Sequence, residues 1–215
     1  MLLYIAAFWA LIPIFLGLRA RGREKFLTVV WLLLISSVTL YLVHLVSVTY
    51  QINIAYIFHT YTAVEFALLA LFYHELLKSF RLRRYIRITI ISFLAYKVVD
   101  TLWITTTSNV DQMAISIESL LVLLFIFLYF TQLFREKTIR RVLHHPTFWI
   151  NNANLFYFVG ILVFSISHFF QEDVLWSGFH LHNYLLLLRN VLFTLAFWFA
   201  YRNSRVKSVQ AISRK

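Results

Sequence analysis

The 215-residue chain is too apolar for a soluble globular domain, with 61% hydrophobic and 13% charged residues against roughly 45–50% and 25% in soluble domains. The absence of cysteine excludes disulfide bonds and thiolate metal sites. The formal net charge of +11 is concentrated in short basic clusters between apolar runs. That pattern is typical of the cytoplasmic loops of membrane proteins and argues against nucleic acid as a partner.

Seven apolar runs are each long enough to cross a bilayer as a helix, which takes about 17–25 residues. They lie approximately at residues 2–18, 26–50, 54–77, 85–104, 113–134, 147–170 and 183–201. The sequence therefore predicts an all-α fold, a polytopic transmembrane seven-helix bundle in one domain, 1–201. A short basic cytoplasmic tail, 202–215, follows this domain.

The basic clusters predict the orientation of the bundle. They follow the first, third, fifth and seventh runs, at 19–25, 78–87, 135–141 and 202–215. Because short loops rich in Lys and Arg remain in the cytoplasm, the N terminus is expected outside and the C terminus inside. The first run has no basic segment before it, so it is predicted to be an anchor rather than a cleaved signal peptide.

Two short patterns indicate a weak internal repeat in this bundle. They are His44 with His59-Thr60-Tyr61, which recurs as His168 with His182-Asn183-Tyr184, and Arg23-Glu24-Lys25, which recurs as Arg135-Glu136-Lys137. The repeat would pair the first three helices with the last three in parallel orientation around a linking fourth helix. This 3+1+3 arrangement is of a kind found among transporters.

The third predicted helix contains a costly residue, since Glu65 lies near its middle. A charge at that depth costs roughly 2.5–3.5 kcal/mol on insertion scales, so Glu65 is expected to face other helices or water and to have a partner. Other charges lie inside predicted helices, at Lys97 and Asp100 on the fourth, Glu118 on the fifth and Arg189 on the seventh. Lys97 and Asp100 are three residues apart, close enough on one helix face to pair.

These charges are expected to form a network in the outer half of the bundle, because paired charges lower each other's desolvation cost. The predicted ligand- or ion-binding residues are Glu65, Lys97, Asp100, Glu118, Arg189, Asn154 and His59. The alternative interpretation is that the charge pairs only hold the helices together. No catalytic residue and no cofactor is predicted.

A polar stripe also follows the sixth helix. Its members step by three and four residues, at Asn151, Asn154, Phe158, Ile161, Ser165 and His168. Asn and Ser side chains hydrogen-bond across membrane helices for about 0.6 kcal/mol on average, so adhesion between helices explains the stripe without a ligand. Pro146 is expected in the first turn of this helix, and Gly160 allows another helix to approach closely.

The histidines near the outer face raise the question of a zinc site with a neighbouring acid as base. The candidate ligands are His44, His168 and His182. The chain contains no HExxH motif and no HxxxH pair on one helix, so hydrogen-bonded or interfacial imidazoles are the preferred interpretation. No metal is predicted.

Three segments carry a resemblance to a known family. They are Phe58-His59-Thr60-Tyr61 continuing to Tyr73, Phe148-Trp149-Ile150-Asn151 continuing to Gly160, and Asn190 continuing to Trp198. In these segments and in its layout the chain resembles small heptahelical membrane proteins common in Bacteroidetes-type bacteria, which are often encoded beside sensor histidine kinases. The resemblance implies a multi-pass protein of the inner (plasma) membrane and favours a signalling role, and it brings no catalytic residues with it.

The sequence supports three hypotheses about function, in order of preference. The first is a sensor or receptor-like signalling module with a polar site in the outer half of the bundle, acting on a cytoplasmic or membrane partner such as a histidine kinase. The second is a transporter of a small polar or anionic solute. The third is a membrane-embedded metal-dependent hydrolase built on the outer histidines, so an enzymatic activity is not the main expectation.

Overall fold

The computed structural model describes residues 8–19, 27–49, 55–101, 112–135, 139–170 and 175–212. Within these segments the fold is all-α, with seven α-helices and one short 3₁₀ helix. The α-helices are α1 (Leu11–Arg19), α2 (Leu27–Thr49), α3 (Ala55–Leu76), α4 (Phe80–Val99), α5 (Gln112–Arg135), α6 (Pro146–Phe170) and α7 (Leu175–Ile212), and the 3₁₀ helix covers Ile139–His144.

Several helix ends differ from the ends of the apolar runs. Pro146 begins α6 as expected, but α4 begins at Phe80 rather than near residue 85. The largest difference is α7, which covers 38 residues up to Ile212, whereas the apolar run predicted 183–201. Arg, Lys, Gln and Ala are good helix formers, so both helices continue through polar sequence that an apolarity criterion leaves out.

Six of the helices form a closed ring through their main packing contacts. The order around the ring is α1, α2, α3, α5, α6, α7, and α7 packs back against α1. The remaining helix, α4, packs on the outside of the ring against α3. This arrangement gives α3 three helical neighbours and leaves most of the surface of α4 exposed.

Aromatic rings connect α3, α4 and α5 at the centre of one side of the bundle. Phe66 lies with its ring centroid 4.2 Å from that of Phe93 and 6.4 Å from that of Phe125. Tyr73, two turns further along α3, is 5.7 Å from Phe125. All four side chains are buried, so they form a continuous aromatic contact between α3, α4 and α5.

Glycine permits close approach at two points of the ring. A Cβ at Gly160 on α6 would overlap the side chain of Leu185 on α7. A Cβ at Gly17 on α1 would lie 2.7 Å from Cγ2 of Val30 on α2. Gly160 therefore allows the close helix contact expected for it.

The bundle is apolar outside and charged inside. Phe127 and Val163 are exposed by 66% and 58%, whereas Arg189 and Glu118 are exposed by 2% and 4%. Three described segments are long and apolar enough to cross a bilayer, namely Gln112–Arg135, Pro146–Ser167 and Leu181–Asn203, and a shorter apolar helix covers Thr28–Thr39. Since a soluble protein exposes its charges and buries its large apolar side chains, the distribution is that of a membrane protein.

Candidate functional site

The interior of the ring contains a buried ion pair between α7 and α3. Arg189 donates a hydrogen bond from Nη1 to Oε1 of Glu65 at 2.6 Å. Both side chains are almost fully buried, at 2% and 4% exposure. Two unlike charges at this distance in a low-dielectric interior compensate much of each other's desolvation cost. Glu65 therefore has the partner that its position in the sequence required.

The guanidinium of Arg189 has further partners on α6. Its Nε donates to Oδ1 of Asn154 at 3.1 Å, and its Cζ lies 4.3 Å from the centre of the Tyr157 ring. Phe158 and Phe193 are the next rings, at 5.4 and 5.5 Å. The arginine is thus held by one carboxylate, one amide and a set of aromatic faces, which favour a cation.

Glu118 on α5 is the third buried carboxyl group of the interior. It is 4% exposed, and its Oε1 has no hydrogen-bond partner among the described residues. It lies within electrostatic range of Glu65 and Arg189, and also of Lys97. The Nη2 of Arg189 likewise makes no hydrogen bond within the described segments. Within the described residues, Glu118 is therefore a buried acid without an ion pair.

The second charged group lies between α3 and the end of α4. Nζ of Lys97 donates to Oδ2 of Asp100 at 3.1 Å and lies 3.0 Å from Nδ1 of His59. All three side chains are buried. The expected i,i+3 pair is thus present, and His59 joins it across the helix interface. Lys97 also lies within electrostatic range of Glu118.

All seven predicted site residues are buried in the structure, in two groups. Arg189, Glu65 and Asn154 are directly bonded, and Lys97, Asp100 and His59 form the second group. Glu118 lies within electrostatic range of Glu65 and Arg189 in the first group and of Lys97 in the second. Their role in binding a ligand, an ion or a proton stays a prediction.

The polar stripe of α6 is buried wherever its side chains are described. Asn151, Asn154 and Ser165 are each 0% exposed. The hydroxyl of Ser165 donates to the backbone carbonyl of Gln112 at 2.9 Å and lies 2.7 Å from Oγ of Ser116. This end of the stripe joins α6 to α5, as expected for adhesion between helices. The side chain of His168 lies outside the described residues.

Of the three histidine candidates for a metal, only His182 has a described side chain. His182 packs edge-on against Tyr157, with ring centroids 5.9 Å apart. The side chains of His44 and His168 lie outside the description. Within the described segments, no three His, Cys, Asp or Glu side chains are grouped closely enough to hold a metal ion.

Sequence reasoning missed several aromatic and polar groups around Arg189. Tyr157 is the ring nearest to the guanidinium among those described, and Tyr61 on α3 bonds Oγ of Ser36 on α2 at 2.9 Å. Asn183 and Asn190 on α7 are also buried. Tyr157 lies three residues after Asn154 and therefore near the polar stripe of α6, and this spacing could have identified it. Because the chain has 12 Tyr and 22 Phe, a single tyrosine did not stand out.

Comparison of the chain with protein-family models, with curated proteins and with solved structures finds no match in any of the three. The functional argument therefore depends on the residues and on their geometry.

Proposed function

We propose that the chain crosses the plasma membrane seven times, with its N terminus outside and its C terminus in the cytoplasm. The lengths of α2 and α3 support this, since 23 and 22 residues extend about 33 Å at 1.5 Å per residue, close to the roughly 30 Å of hydrocarbon in a bilayer. Helix α2 contains no charged residue. The two charges of α3 are Glu65, which is paired inside the ring, and Glu75, near the end of the helix.

In this orientation we propose that the protein is a sensor or receptor-like signalling module. The observation that carries the proposal is the continuity of α7, which runs from Leu175 to Ile212 without interruption. Arg189, at the centre of the buried network, lies on this helix. From Arg189 to Ile212 it extends about 35 Å, more than the roughly 30 Å of the whole hydrocarbon core. A change in the partners of Arg189 would therefore move a helix end in the cytoplasm.

The event that changes those partners is a change of charge at Glu118. Among the described residues, the buried network contains three carboxyl groups, Glu65, Asp100 and Glu118, against the two permanent cations Lys97 and Arg189 and the imidazole of His59. Burying a carboxylate without a counter-ion costs far more free energy than burying a protonated carboxyl group or a paired carboxylate. When Glu118 loses its proton, it competes with Glu65 for Arg189, whose Nη2 makes no hydrogen bond within the described residues.

The cytoplasmic part of α7 is already tied to a neighbouring element. Nδ2 of Asn203 donates to the carbonyl of His144 at 3.2 Å, and the rings of His144 and Phe199 are 5.7 Å apart. A shift of α7 would break or slide this contact with the 3₁₀ helix. The proposal requires a partner that receives the movement of α7, such as a histidine kinase.

The test measures the movement of α7 directly. Because the chain contains no cysteine, spin labels can be placed at Phe80→Cys and Arg202→Cys, both exposed positions, in lipid nanodiscs. The distribution of distances between the labels is measured from pH 5 to pH 8. In the native background, the populations within this distribution are expected to shift with pH. In Glu118→Gln, which is neutral at every pH, the distribution is expected to stay in its low-pH form.

The control is Glu75→Gln, which removes an exposed carboxyl group from α3 and is expected to leave the response intact. A native protein whose distance distribution is the same at every pH contradicts protonation as the signal. A Glu118→Gln variant that still responds contradicts the role of Glu118.

A second candidate function, a transporter of a small polar or anionic solute, is favoured by signs of the internal repeat. Under a 3+1+3 repeat, the main contacts of the ring form three corresponding pairs. The α1–α2 contact corresponds to α5–α6, the α2–α3 contact to α6–α7, and the α3–α5 contact to α7–α1. Helix α4 lies outside the ring, as a linking helix would. Such repeats are common in secondary transporters.

The buried positions follow the same repeat. The displacement of 112 residues between Arg23 and Arg135 relates four buried residues of the first helical segment, Ala10, Pro13, Ile14 and Gly17, to the buried Val122, Phe125, Ile126 and Tyr129. On α3 and α7 the repeated motif sets a displacement of 123 residues, between His59 and His182, which relates the buried Phe66, Ala70, Tyr73 and Leu77 to the buried Arg189, Phe193, Ala196 and Ala200. At this displacement the buried Glu65 corresponds to the exposed Leu188, so Glu65 and Arg189 are not counterparts in the proposed repeat.

Access to the site distinguishes the two candidates. A transporter opens to both sides, so cysteines at Asn183 and Asn151, buried at 4% and 0%, would each react with a membrane-impermeant thiol reagent from either side of sealed proteoliposomes. A sensor open to the outside would show reaction at Asn183→Cys from the outside alone. Uptake of a solute that is abolished by Glu65→Gln would establish transport.

A further inference from the structure

The outer helix of the bundle has a stripe that combines cations with apolar side chains. A shallow groove on α4 is lined by Phe80, Arg84, Arg87, Ile88 and Ile91. Successive positions in this set are four, three, one and three residues apart in the sequence, so they lie on one face of the helix. Among the described residues this face is largely unpacked, since Phe80, Ile88 and Ile91 are exposed by 74%, 51% and 69%. Their apolar area is available to lipid.

The two arginines of the groove have no acidic partner in the described part of the chain. Each of the ion pairs seen there involves Glu65 or Asp100, and both acids are buried in the interior. The neighbouring Arg83 differs, because its Nε donates to the carbonyl of Leu77 at 2.7 Å. Two guanidinium groups on successive turns, without a carboxylate partner among the described residues, favour a phosphate, which Arg binds with charge-assisted hydrogen bonds.

The apolar part of the stripe continues beyond the groove. Towards the other end of α4 the exposed side chains include Leu94 and Val98, and no charged side chain on this face follows Arg87. Cations at one end and aliphatic side chains along the rest match a phospholipid, with its phosphate at the interface and its acyl chains along the helix. A soluble phosphate compound would leave the aliphatic part of the stripe uncovered.

We propose that this face of α4, from Phe80 to Val98, is a binding site for an anionic phospholipid, whose phosphate is held by Arg84 and Arg87. The site lies in the cytoplasmic leaflet, an assignment that rests on the orientation proposed above. Anionic lipids concentrate there and attract basic residues by about 1 kcal/mol for each Lys or Arg at the surface. The site itself does not depend on what the interior senses.

The test uses the detergent-purified full chain and native mass spectrometry, with dioleoyl phosphatidylglycerol and dioleoyl phosphatidylcholine as probes. The native protein is expected to retain phosphatidylglycerol in preference to phosphatidylcholine. Arg84→Gln with Arg87→Gln is expected to lower the affinity for phosphatidylglycerol by roughly tenfold to thirtyfold. The matched control is Arg81→Gln with Arg135→Gln, which removes two exposed charges outside the groove and is expected to change the affinity less than threefold.

Three results would overturn the proposal. One is retention of phosphatidylglycerol by the Arg84 and Arg87 variant at the native level, and another is an equal loss in both double variants, which would indicate a general effect of net charge. The third is displacement of the lipid by millimolar inorganic phosphate alone, which would indicate a simple anion site. A sensor response that fails while this binding persists would overturn the proposed function and leave the lipid site intact.

Discussion

Arg189 on α7 and Glu65 on α3 are joined by a 2.6 Å hydrogen bond between Nη1 and Oε1, with both side chains almost fully buried. The pair closes the ring of helices across its interior, since α3 and α7 are not neighbours in ring order. It also binds α7, the longest of the described helices, to α3, the helix with three neighbours. The stability of the bundle and the position of α7 therefore depend on the same bond.

The first prediction concerns the cost of breaking this pair. Arg189→Leu leaves the Glu65 carboxylate buried without its base, so the free energy of unfolding is expected to fall by about 3–5 kcal/mol. The double variant Glu65→Leu with Arg189→Leu is expected to recover much of that loss, because neither charge remains. Unfolding by denaturing detergent in mixed micelles, followed by circular dichroism, measures both values.

The control for this cycle is Glu75→Gln, at an exposed position on the same helix, with an expected change within about 0.5 kcal/mol. If the double variant loses as much stability as Glu65→Leu and Arg189→Leu lose in sum when each is made alone, the pair does not act as a coupled unit and the interpretation is wrong.

The second prediction concerns the group of Lys97, Asp100 and His59. Lys97→Met leaves Asp100 buried without its base and removes the donor to His59 Nδ1, so a loss of about 3–5 kcal/mol is expected. His59→Ala is expected to cost less, about 1–3 kcal/mol, since the Lys97–Asp100 pair remains. The same unfolding assay compares the two variants, and a larger loss in His59→Ala would contradict the order of these contacts.

The burial of these charges followed from the sequence, but their pairing did not. Glu65, Glu118 and Arg189 lie in apolar runs, and a charge in such a run must face the protein interior. Which acid meets which base depends on the order of helices around the ring and on the rotation of each helix. Local spacing determines neither, so only the Lys97–Asp100 pair, on one helix, could be predicted as a contact.

The ends of the helices were the least predictable part of the fold. Apolarity shows where a helix lies in hydrocarbon, and it does not show where the helix ends. The continuation of α7 to Ile212 includes Arg202 and Arg205, which a criterion of apolarity assigns to a tail. The proposal of a sensor depends on this continuation of α7. A feature central to the proposed function therefore lies in a part of the sequence that apolarity does not mark.

The third prediction tests the close approach of α6 and α7. Gly160→Ala places a Cβ against the side chain of Leu185, and overpacking of this kind typically costs about 1–3 kcal/mol. Replacing Leu185 by Val in the same chain shortens the opposing side chain and is expected to restore part of the loss. Val159→Ala, at an exposed position beside Gly160, serves as the control. A Gly160→Ala variant as stable as the native chain would contradict the contact.

The fourth prediction separates adhesion between helices from the charged site. Ser165→Ala removes the bond from its hydroxyl to the Gln112 carbonyl and the contact with Ser116. Hydrogen bonds between membrane helices average about 0.6 kcal/mol, so a loss below about 1.7 kcal/mol is expected, with no change in the pH response of the labelled protein. Asn154→Ala removes an acceptor from Arg189 Nε and is expected both to destabilise the bundle and to alter that response. If Ser165→Ala alters the pH response as strongly as Asn154→Ala, the two ends of the α6 stripe do not have the separate roles that their contacts indicate.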